Sequence, residues 1–157
     1  MGVTKRLKST QSIYITIIIV VFTPVGLRLF NDYHIGNMFH FGFNNPTIII
    51  SILFFAILIP VANRIFNVQM KAEFYTAKHI FSKYISALAV KGITIATVGI
   101  FNSIVYISTG NFAALIISIF TIILIINSFP TMKGALKNCG ITKVDLENDE
   151  RNTINEN

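Results

Sequence analysis

Residues 80–108 read IFSKYISALAVKGITIATVGIFNSIVYIS. Lys83 and Lys91 are the only charges in that stretch. A buried strand uses only about 4–8 residues, whereas about 20 apolar residues in a row suffice for a helix to cross a bilayer. Small side chains recur along it at Ser82, Ser86, Ala89, Gly92, Ala96, Gly99 and Ser103. The spacing alternates between three and four residues, so they share one helix face. Lipid offers little hydrophobic force between helices, and close backbone approach through small residues takes its place. The stripe is therefore the expected packing seam, first against a neighbouring span and alternatively in a homo-oligomer. Val98 lies off the stripe and is expected to tolerate enlargement.

Three further apolar runs flank this one, at 12–30 (SIYITIIIVVFTPVGLRLF), 46–66 and 112–129. The whole chain has 157 residues, of which 53% are hydrophobic and 13% charged. A soluble domain carries roughly 25% charged residues, so a membrane protein is expected, and the lengths of the runs make the expected class all-α. The architecture expected is a four-helix transmembrane bundle of two antiparallel hairpins. Lipid excludes any segment whose backbone groups are unpaired, which favours helices over the strands that Ile-rich runs otherwise imitate. The single Cys excludes a disulfide framework.

Local signals mark the ends. Asn45-Pro46 sets a cap before a first-turn proline. Asn111 caps the fourth span after a tight turn at Ser108-Thr109-Gly110. Pro130 closes that span or opens a short surface helix over 131–138, stopped by Gly140. Pro24 and Pro60 fall inside spans, where each is expected to kink its helix or free a carbonyl. A cleaved signal peptide is the rival reading of the first run, but no A-x-A-like site follows it.

Basic residues sort to one side. Lys5, Arg6 and Lys8 precede the first span; Arg64, Lys71, Lys78 and Lys83 surround the connection between the second and third. Lys133, Lys137, Lys143 and Arg151 follow the fourth, and only Arg28 lies on the opposite side. The positive-inside rule then places both termini in the cytoplasm of a bacterial inner membrane protein. The net charge of +6 is thus a topology signal. It is not a nucleic-acid patch, and the basic rim favours anionic lipids at the cytoplasmic face. Residues 1–11 form a basic cytoplasmic segment, 12–143 the membrane domain, and 144–157 an acidic tail expected to be disordered.

Polar side chains inside the spans are few. Lys91 sits beside the small-residue stripe, roughly 12 Å beyond Lys83 along the axis. An intramembrane charge is a functional candidate by default. The leading expectation here is that its stem snorkels toward the cytoplasmic headgroups. Pairing with a buried partner, or a substrate role, are the alternatives. Tyr84, Lys91, Asn102 and Tyr106 fall along one side of the helix, lining a polar groove or bonding to adjacent spans.

No Asp or Glu lies inside a span, which leaves proton or cation carriage without its usual carboxylate. In the external loop Asp32, His34 and His40 match no metal motif, so no metal or other cofactor is expected. Phe39, Phe41 and Phe43 read as headgroup anchors. Cys139 is a palmitoylation candidate. No motif of a hydrolase, zinc protease or phosphate-binding loop is present, and an enzyme is not expected.

The second half resembles a family. Tyr84, Ala87, Lys91, Phe101, Tyr106, Thr109, Gly110, Asn111, Pro130, Thr131 and Lys133 fall, without gaps, on the pattern of an uncharacterised family of small four-span membrane proteins common in Bacteroidota. The match covers about residues 78–143. Ala96 and Thr97 stand where that family has a Glu-Gly pair, so no role of its Glu transfers here. The resemblance implies four spans, and the family has no known activity to carry over. The functional expectation is a multi-pass, non-enzymatic structural or accessory subunit, binding lipid and another membrane protein or itself. The alternative is a small oligomeric channel or transporter, which needs polar groups on a shared inner face. Lys91, Asn102, Tyr106, Thr16 and Thr23 are the candidates for it.

Overall fold

The computed structural model describes residues 3–35, 46–70 and 76–155. Among the described residues every regular element is a helix: α1 (Val3–Ile35), α2 (Pro46–Met70), α3 (Ala77–Thr109), α4 (Phe112–Asn127), α5 (Met132–Cys139) and α6 (Lys143–Asn155). Their ends follow local chemistry. Thr76 caps α3 by accepting a hydrogen bond from the His79 N–H at 3.2 Å. Gly110 ends α3 at φ 65°, a left-handed conformation that glycine adopts without strain, and its N–H donates to the Tyr106 carbonyl at 2.8 Å. Asn111 then caps α4 through the Ala113 N–H at 2.9 Å. Both α1 and α2 stay helical through Pro24 and Pro60.

α1, α2 and α3 are each long and apolar enough to cross a membrane. α4 has 16 residues, about 24 Å at 1.5 Å per residue, against roughly 30 Å of hydrocarbon. It qualifies only as a bent pair with α5, from which it turns by 73°. Pro130 explains the turn, because it has no N–H to donate and its ring clashes with the carbonyl four residues back. The fourth apolar run is thus one helix to Asn127, and the break follows it, where Pro130 separates it from the short helix α5.

α3 is central and packs on α1, α2 and α4. Half of its most apolar window is buried, against 17% for α1 and for α2. Two apolar clusters form around it. One gathers Leu7, Tyr14, Ala62, Phe81, Ile125 and Ala135. The other gathers Val25, Ile48, Val105, Tyr106, Ala114 and Leu115. Away from them, Ile15, Ile19 and Phe22 of α1, Ile50, Leu53 and Ile57 of α2, and Ile116, Ile123 and Ile126 of α4 are exposed. An outer surface this apolar is compatible with a multi-pass membrane protein.

Residues 3–11 form the first turns of α1, with Leu7 and Thr10 buried. One expectation about the ends is corrected. The acidic tail does not start as disorder but as α6. Thr142 and Asp145 form a reciprocal cap: the Thr142 N–H and hydroxyl both donate to Asp145 Oδ2 at 2.7 Å, and the Asp145 N–H donates to Thr142 Oγ1 at 3.2 Å. Leu146 is buried in the core, and the Asp149 carboxylate accepts from the Lys78 N–H at 3.1 Å.

The hydrogen bonds from Thr142, side chain first and backbone second, hold the Asp145 carboxyl below its ordinary 3.8. A depressed folded pKa means that the stabilisation is present above the unfolded value and lost as pH falls through the folded one. Hydrogen-exchange protection of the Leu146 amide is therefore expected to fall on acidification below pH 3.8. In Thr142→Ala, which loses the hydroxyl but keeps the backbone donor, that acid step is expected to shrink; an unchanged step would show that the hydroxyl cap does not hold α6.

Candidate functional site

The small-residue stripe meets neighbours over most of its length. Gly92 faces Tyr14 of α1 so closely that an added Cβ would lie 2.5 Å from Tyr14 Cζ. At Gly99 a Cβ would lie 2.9 Å from the Thr121 methyl of α4 and 3.2 Å from Val21 of α1. Ala96 is buried. The Ser103 hydroxyl donates to the Gly99 carbonyl at 2.8 Å, and lies 3.3 Å from the Val21 carbonyl and 3.5 Å from Ser118 Oγ. Toward the start of α3 the stripe loosens. Arg6 donates to Ser82 Oγ, Ala89 is half-buried, and Ser86 is exposed with its hydroxyl on the Ser82 carbonyl at 3.0 Å. Val98 is fully buried, contrary to expectation, because α3 is enclosed on more than one side.

The intramembrane polar residues divide into two groups. Asn102 is fully buried: its amide donates to the Val98 carbonyl at 2.9 Å and its oxygen accepts from Ser51 of α2. Tyr106 is fully buried in the second cluster, a turn beyond. Neither reaches Lys91, which lies roughly 16 Å back along the axis from Asn102. Thr16 and Thr23 are exposed on α1, away from any inner face.

Lys91 is half-buried with its ammonium 5.3 Å from the centroid of the Phe66 ring of α2. It lines a cavity of about 330 Å³ where α2 and α3 meet the turn between α4 and α5. Tyr84 stands beside it, stacked edge-on against Phe66, and its hydroxyl accepts from the Asn138 amide at 2.7 Å. Ser128, Phe129 and Thr131 close the cavity from the turn. That turn is held from the far side by Gln11, whose amide donates to the Pro130 carbonyl at 2.9 Å. Sequence reasoning found Tyr84 and Lys91 but missed Phe66, Ser128, Thr131 and Asn138. The break at Pro130-Thr131 was the one signal that the following residues turn back.

Cys139 is half-buried in α5, and burial pushes its thiol up to about 11, which disfavours the reactive thiolate. The side chains of Asp32, His34, His40, Phe39, Phe41 and Phe43 lie outside the described residues. Comparisons of this chain with family models, curated proteins and solved structures find no match.

Proposed function

We propose that the chain is a four-span protein of a bacterial inner membrane, with both termini cytoplasmic, acting as a non-enzymatic structural or accessory subunit. Kinship with the small four-span family of Bacteroidota belongs to the same proposal. The observation that carries it is the closed interior. Midway along the spans the buried hydroxyls and amides are tied within the chain: Ser51 to Asn102, Asn102 to Val98, Ser118 to the Ala114 carbonyl at 3.0 Å and Thr121 to the Ile117 carbonyl at 2.8 Å. The one buried side-chain oxygen left without a partner among the described residues, that of Gln69, lies at the very end of α2. A solute path would need such groups turned toward water.

The two clusters support the threading. One joins the start of α1, the end of α2, the start of α3 and the end of α4. The other joins the opposite ends. That alternation suits an up-and-down path, in which the basic residues before α1, around the α2–α3 connection and after α4 share the cytoplasmic side. The 24 Å of α4 is extended by Ser128 and Phe129, and a modest local thinning of the bilayer covers the rest.

Reporter fusions after Lys143 are expected to read cytoplasmic, and fusions at His34 external; an external C-terminus sinks the four-span threading. Purified protein in liposomes is expected to leave ion and dye permeability at the level of empty vesicles. A steady leak would favour the oligomeric channel or transporter instead.

A further inference from the structure

We infer that the Lys91 cavity is a binding site for the phosphate of a bilayer phospholipid. The inference rests on the membrane placement proposed above. Among the described residues no carboxylate pairs with Lys91. Its ammonium is instead held over the Phe66 ring, an attraction that leaves the positive charge uncompensated.

The polar groups around that charge are rich in donors. The Tyr84 hydroxyl accepts from Asn138 and keeps its own proton to give. The Thr131 hydroxyl accepts from the Gly134 N–H at 3.1 Å and likewise keeps its proton. Ser128 is a third hydroxyl-bearing residue in the lining. Lys91 thus shares a cavity with the hydroxyl-bearing Tyr84, Ser128 and Thr131 and the amides Asn127 and Asn138, with no acid in the lining, a set complementary to an oxyanion.

Depth selects a lipid as the source of that oxyanion. The cavity lies where α4 ends and the chain turns by 73° into α5. In the proposed threading this is the level of the cytoplasmic headgroups. Phe66, Leu88 and Phe129 give the same cavity apolar walls, which suit a glycerol backbone and the first acyl carbons better than a hydrated free ion. Its volume of about 330 Å³ falls at the small end of ligand pockets.

The test uses the full chain in a neutral detergent. Carbonate washing of membranes comes first. A chain that washes off refutes the membrane reading itself, whereas one that stays and binds no phosphate refutes only this inference. Short-chain phosphatidylglycerol, the matching diacylglycerol without phosphate, and inorganic phosphate are then titrated against the thermal midpoint, with native mass spectrometry counting retained lipid. Phosphatidylglycerol is expected to raise the midpoint and diacylglycerol to leave it unchanged. Lys91→Gln is expected to weaken the phospholipid effect about tenfold, the value of one lost charge-assisted contact. Lys91→Arg is expected to keep it, and both variants to retain the helical circular dichroism of the parent. Equal response of Lys91→Gln and the parent, or equal protection by diacylglycerol, overturns the site. Full protection by inorganic phosphate alone overturns the lipid as its source.

Discussion

Gly92→Leu is expected to break the contact between α1 and α3. The Cβ alone would sit 2.5 Å from the Tyr14 ring, and that ring cannot swing aside. Tyr14 is fully buried, its hydroxyl donates to the Leu88 carbonyl at 2.8 Å, and its ring stands edge-on to Phe129 at 5.9 Å. Overpacking a close-packed site costs about 1–3 kcal/mol. Here the added side chain also pushes apart backbones whose proximity is the source of attraction. The variant is expected to give less monodisperse protein in detergent and a lower thermal midpoint. Gly99→Leu follows in the same direction, against the Thr121 methyl and Val21. The control is Ile93→Leu, because Ile93 is 51% exposed on the outer surface. Val98 is unsuitable for that purpose, being buried. If Gly92→Leu and Ile93→Leu behave alike, the seam is not where the two helices hold together.

Tyr14→Ala is the second large effect. Removing a fully buried aromatic leaves a void that its surroundings fill only in part, at about 3–5 kcal/mol. Loss of the bond to the Leu88 carbonyl comes within that total. Titration with a denaturing detergent is expected to move the unfolding midpoint strongly toward lower concentration. Residues that touch do not contribute additively, so the two sites offer a cycle. In the Tyr14→Ala background, Gly92→Leu is expected to cost less than alone or to recover stability, since its side chain enters the vacated space. Simple additivity of the two changes would show that the Tyr14–Gly92 contact is not the one that matters.

The limits of sequence reading show in particular residues. The cap at Asn111 and the stop at Gly140 were legible, because each satisfies backbone groups within a few residues of itself. α6 was legible in principle, since Thr142 and Asp145 have the spacing of a cap. The acidic composition concealed it, and only the docking of Leu146 on the core shows why the helix persists. Of the cavity, Lys91 and Tyr84 stood out as polar groups in an apolar run, while Phe66 and Asn138 had no such mark.

What the sequence determined by itself is the helical class, the long apolar runs, the placement of its basic residues between those runs and the small face of α3. Each is a local property, set by the need to pair every backbone group in lipid, by charge count, or by the helical period. The tertiary structure decided which side chain lies against that face, that α4 stops and turns at Pro130, and that Phe66 meets Lys91. It also joined Gln11 to the Pro130 carbonyl across 119 residues of chain. Such pairings arise when several helices fill one volume together, and spacing along a single helix carries no record of what fills the space opposite.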